Sequence, residues 1–122
     1  MIDHLGISVR DIARSKEFYA KALAPIGYQV ILDFGMAVGI GAAGKPDFWI
    51  AQGDPSAKNH VAFQAPTRSL VKAFYAAAIA AGGTDNGPPG VRPQYHPSYY
   101  GAFVLDPDGH NIEVVCHEAY LG

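Results

Sequence analysis

Apolar and polar residues alternate along the chain with spacings that predict strands and helices in a regular order. Short alternating or apolar runs at 2–9 and 59–65 predict strands. Each run is followed by a stretch with apolar residues at i, i+3 and i+4, which is typical of an amphipathic helix. Glycine and proline then separate three further strand-like runs in each half of the chain. These runs cover 28–33, 36–40 and 47–52 in the first half, and 91–96, 100–105 and 111–117 in the second.

Capping and turn residues bound the two predicted helices. Asp11 or Ser15 can begin the first helix, and Pro25 with Gly27 ends it. Thr67 is a suitable N-cap for the second helix, which a glycine pair at 82–83 ends. Both halves therefore have the same predicted order of elements, a strand, a helix and three strands.

An internal repeat relates the two halves. The constant shift that carries His4 onto His60 also carries the triplet Phe-Tyr-Ala at 18–20 onto 74–76 and Gly27 onto Gly83. No gap is needed over this stretch, so the chain contains two related units. We predict an α+β fold of two βαβββ modules that form a curved mixed sheet. The modules span about 1–55 and 56–122 within one domain, 1–122, and residues at alternate strand positions line a cavity.

Composition restricts the classes of partner. The 122 residues are 49% hydrophobic and 16% charged, with a formal net charge of −2, which argues against disorder and gives no basis for binding nucleic acid or an anionic membrane. No apolar run is long enough to span a bilayer. The single cysteine, Cys116, excludes an intrachain disulfide, and we expect it to be buried. We predict a cytoplasmic protein that binds a small molecule. We also predict a homodimer, because the open sheet edges need covering.

Three residues form a candidate metal site. His4 and His60 occupy equivalent places at the starts of the first strands of the two units. Glu113 stands between Ile112 and Val114 in the last strand, and a carboxylate in such a strand is costly to bury unless it is paired or metal-bound. Two imidazoles and one carboxylate suit a divalent ion with open positions for a substrate. His110 follows the Asp-Pro-Asp-Gly turn at 106–109, and we expect it to be exposed.

The same residues carry a family resemblance. The opening DHLGISV at 3–9 and RSKEFY at 14–19, together with the closing FVLDPDG at 103–109 and Ile112-Glu113, resemble the vicinal oxygen chelate superfamily. That superfamily includes glyoxalase I, extradiol dioxygenases, fosfomycin-modifying transferases and bleomycin-resistance proteins. The resemblance covers essentially the whole chain and implies that His4, His60 and Glu113 bind a metal, for which Zn, Fe, Mn, Ni and Co are all compatible.

The fourth strand departs from the glyoxalase I pattern. The resemblance to glyoxalase I implies a further carboxylate or glutamine ligand from this strand. Here the central position is Trp49 or Ile50, and neither side chain can bind a metal. Gln52 could substitute only if the register shifted by two residues. This difference counts against glyoxalase I activity itself.

Candidate acid and base groups lie near the seventh strand. Extradiol dioxygenases use additional histidine and tyrosine groups, and the segment YHPSYY at 95–100 offers His96, Tyr99 and Tyr100. Tyr99 and Tyr100 are successive residues, so at most one of them can line the cavity.

Two functions from different classes follow. The first is a metal-dependent lyase, isomerase, transferase or dioxygenase in which two adjacent oxygens of a small substrate chelate the metal. The second is a metal-free protein that sequesters an aromatic compound, as bleomycin-resistance relatives do. The two histidines and the glutamate favour the first function, whereas the apolar fourth strand with Trp49 favours the second.

Overall fold

A computed structural model describes residues 1–118 and contains two sheets, two α-helices and one short 3-10 helix. Residues 119–122 of the predicted domain lie outside this described part. The elements are β1 (Leu5–Val9), α1 (Ile12–Ala22), the 3-10 helix (Ala24–Ile26), β2 (Gln29–Asp33), β3 (Ala37–Ala42), β4 (Lys45–Gln52), β5 (His60–Gln64), α2 (Arg68–Ala80), β6 (Thr84–Asp85), β7 (Gly90–Val91), β8 (Tyr100–Leu105) and β9 (Asn111–Cys116). The predicted α+β fold of two modules is confirmed, with a separate sheet in each module.

Local sequence explains where the helices begin and end. The Asp11 carboxylate accepts a hydrogen bond from the backbone N–H of Arg14, and the Thr67 hydroxyl accepts one from the N–H of Leu70, each at 3.2 Å. These side chains satisfy N–H groups that the first helical turn leaves without partners. Gly27 ends the first helical region with a φ of 87°, which favours glycine over residues that carry a Cβ.

The two sheets have the same topology around their central strands. The first has the order β1-β4-β3-β2, and β1 runs parallel to β4. In the second, β5 runs parallel to β9, β9 pairs with β8, and the short strands β6 and β7 both pair with β8. Gly6 lies opposite Trp49 in the first sheet, and Ala62 lies opposite Glu113 in the second. Because the repeat superimposes Gly6 on Ala62, Trp49 and Glu113 hold equivalent positions.

One predicted strand is wrong. The run 91–96 was expected to be a strand, but only Gly90–Val91 pairs with β8, and the chain then forms turns up to Tyr99. The N–H of Tyr95 donates to the carbonyl of Arg92 at 3.0 Å, and the N–H of Tyr99 donates to that of His96 at 3.1 Å. Pro93 and Pro97 have no N–H to give to a sheet ladder, which favours turns over a strand here.

The two modules share a single hydrophobic core. The helices and the helix-facing sides of both sheets contribute to it, and the Phe48 ring of β4 contacts the Phe63 ring of β5 with centroids 5.3 Å apart. The alternate residues of β1 and β5, including Gly6, Ser8, Ala62 and Gln64, are exposed on the opposite, open faces. The strands β1 and β5 also lie at the ends of their sheets. Each module therefore presents an open face and an edge strand at the surface.

His110 is buried, so the expectation that it would be exposed is wrong. Its Nε2–H donates to the backbone carbonyl of Ser8 at 2.8 Å, and its Nδ1 accepts from the N–H of Asn59 at 3.0 Å. The turn before His110 is held by the buried Asp106, which also accepts a hydrogen bond from the Tyr19 hydroxyl. His110 thus joins the end of β1 to the residue before β5.

Candidate functional site

A buried carboxylate lies on the open face of the second sheet. Glu113 is central in β9, between Ala62 of β5 and Phe103 of β8, and only 2% of its surface is exposed. His60, the first residue of β5, places its Nε2 3.2 Å from the Glu113 Oε1, while half of the imidazole remains exposed. The phenyl ring of Phe103 lies against the imidazole, with centroids 6.3 Å apart and planes 25° apart. The pair is therefore sheltered from one side and reachable from the other.

The hydrogen-bond partner of the His60 Nδ1 determines whether Nε2 of the neutral imidazole carries a lone pair. This Nδ1 lies 3.0 Å from the carbonyl oxygen of Asn111, and a carbonyl can only accept, so Nδ1 is the donor. In the neutral imidazole, Nε2 then carries a lone pair that faces the Glu113 carboxylate. Two acceptors at this distance need either a proton shared between them or a cation beside both atoms. A histidine oriented through a backbone carbonyl is the usual arrangement of a metal ligand.

Tyr99 completes the surroundings of the carboxylate. Its hydroxyl donates a hydrogen bond to the Glu113 Oε2, so the two carboxylate oxygens have different neighbours. Burial, and then the hydrogen bond and negative charge of Glu113, raise the pKa of Tyr99, which keeps its proton at neutral pH. A Cβ at Gly101 would lie 3.2 Å from the Glu113 Oε2 and 3.3 Å from the Tyr99 ring. A glycine at this position therefore leaves the space that the pair needs.

Two histidines hold Tyr99 in place, His96 in the loop before β8 and His117 directly after β9. His96 places its Nε2 2.7 Å from the Nδ1 of His117, and its own Nδ1 accepts from the N–H of Ser98 at 3.1 Å. The Nε2 of His96 is therefore the donor to His117. Both imidazoles also contact the Tyr99 ring edge-on, each with centroids 5.4 Å apart. The predicted candidates His96 and Tyr99 are thus brought together with Glu113, and His117 joins them.

These side chains line a pocket of about 530 Å³ on the open face of the second sheet. The lining residues are His60, Tyr95, Tyr99, Phe103, Asn111 and Glu113. Three of the six are aromatic, and the ionisable groups converge on one side around the carboxylate. An apolar pocket with a few convergent polar groups is typical of a small-molecule site.

His4 does not reach this pocket. Its Nδ1 lies 2.8 Å from the neighbouring Asp3 carboxylate, and more than half of the imidazole is exposed. The hydrogen bond from Lys45, and to a smaller extent the one from His4, lowers the pKa of the Asp3 carboxyl to about 2. Between residues 1 and 118, no three histidine, cysteine or acidic side chains lie close enough together to hold a metal. The predicted set of His4, His60 and Glu113 is therefore not assembled within one chain, because each histidine lies on its own module and the modules pack through their opposite faces.

Two further candidates lie away from the pocket. Tyr100 points to the core side of β8, where it is buried and the Arg68 guanidinium lies 4.9 Å from its ring centre, so the structure separates it from Glu113. Gln52 accepts a hydrogen bond from the N–H of Ile12 at 3.2 Å and therefore caps the start of α1. The fourth-strand position equivalent to Glu113 is Trp49, so Gln52 does not substitute for a ligand there.

Phe103, Tyr95 and His117 were not among the site residues predicted from the sequence. Phe103 lies directly opposite Glu113 in the neighbouring strand, but this pairing depends on the length of the turn between β8 and β9. Tyr95 reaches the pocket because the chain turns rather than continuing as a strand. The alternation in β8 was the one available signal for Phe103, since it places Gly101, Phe103 and Leu105 on one face.

Two modules of one pattern, each a strand and a helix followed by strands that complete a mixed sheet, are typical of the glyoxalase-like class of folds. The sequence-family model for the Glyoxalase/Bleomycin resistance protein/Dioxygenase superfamily matches residues 1–114. The chain therefore belongs to this superfamily. The predicted resemblance is thereby confirmed. Among curated proteins, none matches the chain significantly.

Solved structures support the same fold. A glyoxalase/bleomycin resistance protein from Albidiferax ferrireducens T118 is 29% identical, with a TM-score of 0.83 over 93% of this chain and 97% of that one. A glyoxalase/bleomycin resistance protein/dioxygenase family enzyme from Burkholderia phytofirmans PsJN is 22% identical, with a TM-score of 0.76 over 96% and 98%.

A mutant of the fosfomycin resistance protein FosX from Listeria monocytogenes is also similar. It is 21% identical, with a TM-score of 0.71 over 93% of this chain and 87% of that one, and its structure contains Mn(II) and 1S,2S-dihydroxypropylphosphonic acid. At this identity the likeness extends to the fold alone. Between residues 1 and 118 of the present chain, no helix is long and apolar enough to cross a membrane.

Proposed function

We propose that this protein is a metal-dependent enzyme of its superfamily that acts on a small substrate with two adjacent oxygens. The observation that carries the proposal is the buried Glu113 carboxylate, whose Oε1 lies 3.2 Å from the Nε2 of His60. The Nδ1 of that imidazole donates to the Asn111 carbonyl, which leaves the Nε2 lone pair free to bind a cation. An imidazole nitrogen and a carboxylate oxygen so arranged fit two positions of a divalent ion.

We infer that His4 of a second chain supplies the third ligand. His4 directly precedes β1 and His60 is the first residue of β5, and each of these strands is an edge strand of its sheet. Pairing β1 of one chain with β5 of another would join the two open faces into one continuous curved surface. A twofold arrangement would create two such junctions and therefore two equivalent sites. The predicted homodimer is thus part of the proposed site.

A divalent ion held by these residues would act as a Lewis acid toward two adjacent substrate oxygens and stabilise negative charge that develops on them. The chain's own groups have separate tasks. Tyr99 donates to the Glu113 Oε2 and so fixes the orientation of the carboxylate. Phe103 and Tyr95 supply apolar ring surface to the lining of the pocket. His96 supports the Tyr99 ring, and the candidate for a general base or acid is His96 or the Tyr99 hydroxyl.

Metal analysis of protein purified without chelators tests the proposal. We expect stoichiometric metal in the parent protein and loss of metal in His60→Ala and Glu113→Gln. Asp47→Asn is the matched control, because Asp47 is a carboxylate of the first module that accepts a hydrogen bond from Tyr28 and is outside the proposed ligand set. If the parent protein binds no divalent metal under any loading condition, the proposal is wrong.

Co-expression of two defective chains tests whether the site is shared. A heterodimer of His4→Ala and Glu113→Gln chains contains one intact site if His4 comes from the partner, and none if all ligands come from one chain. With random pairing, we expect about one quarter of the parental metal per chain. Each variant expressed alone should bind essentially none. Absence of metal from the mixture, with metal present in the parent, would show that the ligands are not shared in this way.

A second function is supported by the first module. Trp49 occupies the position equivalent to Glu113, and it forms an exposed aromatic surface with Phe34. A metal-free protein that sequesters an aromatic compound would need such a surface and no ligands. Failure of the parent to bind metal, together with tight binding of an aromatic compound, would favour this alternative.

A further inference from the structure

The open face of the first module carries a stacked pair of aromatic rings. The indole of Trp49 and the phenyl ring of Phe34 are nearly parallel, with planes 14° apart and centroids 6.0 Å apart. Phe34 is 69% exposed, so the pair is open to solvent on this face. Parallel rings of this kind can take up a further flat aromatic group.

Several contacts hold the Trp49 indole in place before any ligand arrives. Its Nε1–H donates to the carbonyl of Pro46 at 3.0 Å, which fixes the ring orientation. The ring lies across Gly39, where an added Cβ would come within 2.8 Å of the Trp49 Cζ2. A ring that is already ordered loses little conformational freedom on binding, which favours tight stacking.

The position of this pair relates it to the metal site. Trp49 lies opposite Gly6 in the first sheet as Glu113 lies opposite Ala62 in the second. If β1 of one chain meets β5 of another, the Trp49–Phe34 pair and the Glu113 pocket line the same curved surface. The pocket itself already presents Tyr95, Tyr99 and Phe103. A substrate bound between the modules would therefore contact aromatic rings from both chains.

We propose that the substrate carries a planar aromatic group in addition to its two adjacent oxygens, and that Trp49 and Phe34 bind this group. The inference rests on the proposed function, since the oxygen pair is to be held at His60 and Glu113. It adds a division of labour in which the second module binds the oxygens and the first module of the partner selects the aromatic group.

Mandelate and lactate are suitable probes, because both present an α-hydroxycarboxylate and differ only in a phenyl or methyl group. The protein is loaded with Zn²⁺, and binding is measured by calorimetry. Trp49 is the only tryptophan in the chain, so its fluorescence reports directly on the proposed surface. We expect mandelate to bind roughly tenfold more tightly than lactate and to change the Trp49 emission, because only mandelate can stack.

Phe34→Ala tests the aromatic surface without changing any of the proposed metal ligands. We expect this variant to bind mandelate about as weakly as the parent binds lactate, with lactate binding unchanged. Ile79→Ala is the matched control, since Ile79 is an exposed apolar residue on α2. Equal affinity of the parent for the two probes, or equal weakening of both by Phe34→Ala, would overturn the inference. So would failure of mandelate to alter the Trp49 emission, as expected if a second copy simply covers this face.

The metal content of the same samples distinguishes two failures. Stoichiometric Zn²⁺ without a preference for mandelate overturns the aromatic substrate and leaves the proposed function standing. A parent protein without Zn²⁺ overturns the proposed function, and the inference fails with it.

Discussion

The two modules share one topology but differ at equivalent positions on their open faces. In the second module, Glu113 faces His60 and accepts a hydrogen bond from Tyr99. In the first, Trp49 occupies the same position and stacks on Phe34. One face therefore offers ligands and the other offers an aromatic surface. A duplicated unit can divide binding and chemistry between its copies while both copies retain the same strand pairing.

Each module also contains a tyrosine that donates to a carboxylate, which provides the sharpest test of this difference. Tyr28 donates to Asp47 at 2.9 Å in the first module, as Tyr99 donates to Glu113 in the second. Only Glu113 also faces an imidazole nitrogen that can bind a cation. We expect Glu113→Gln to weaken metal binding by more than about 100-fold and Asp47→Asn to leave it within about twofold, because only the former removes a ligand. Titration with a competing chelator measures both, and equal losses would contradict the difference between the modules.

The Tyr99 hydroxyl provides the next largest expected effect. Tyr99→Phe leaves the ring contacts with His96 and His117 but removes the hydrogen bond that orients Glu113. Loss of such a supporting bond should lower metal affinity about 10-fold to 100-fold. Tyr28→Phe is the matched control in the first module and should have no effect on metal binding. An unchanged affinity in Tyr99→Phe would show that Glu113 holds its orientation without the hydroxyl.

A methyl group at Gly39 tests how firmly the Trp49 indole is held. The new Cβ would lie 2.8 Å from the Trp49 ring and 2.9 Å from Pro46, so the indole must move. We expect Gly39→Ala to lower the free energy of unfolding by about 1–3 kcal/mol and to shift the Trp49 emission. Gly6→Ala is the control, because its Cβ would make ordinary contacts with Trp49 at 3.7 Å. Urea unfolding and fluorescence spectra measure both variants, and identical spectra for the two would contradict the close packing at Gly39.

The smallest expected effect is a pH dependence in the first module. Burial, and then the hydrogen bond to Asp47, raise the pKa of Tyr28 to about 12. Because the folded pKa lies above the ordinary value near 10, the stabilisation is fully present below pH 10 and is lost as the pH rises toward 12. Ultraviolet titration of the parent against Tyr28→Phe should reveal one tyrosine with this midpoint. In Asp47→Asn the midpoint should fall, and an unchanged midpoint would assign the whole shift to burial.

The local pattern of residues predicted most of the fold, because it depends on interactions within a few positions. Alternation predicted the runs that became β1 and β5. Thr67 was correctly identified as the residue that begins the second helix, and Asp11 was one of two candidates for the first. The strand expected at 91–96 was wrong because two prolines and a turn outweighed its β-like composition.

The candidate site was predicted in part. Glu113 was recognisable because a carboxylate between Ile112 and Val114 needs a partner, and successive residues in a strand allowed only one of Tyr99 and Tyr100 to face it. Which tyrosine does so depends on the register of β8 and β9. The burial of His110 could not be foreseen, because its partner Ser8 is distant along the chain and close only after the modules pack.

The sequence by itself determined the two modules, their shared pattern and the chemistry available at His4, His60 and Glu113, since these depend on residue type and short-range spacing. The tertiary structure alone decided where these three residues lie relative to one another. Packing of the modules through their helix-facing sides buries a common core and turns both open faces outward. That arrangement separates His4 from His60 and Glu113 within one chain, because burial of apolar surface outweighs the joining of three polar residues at the surface.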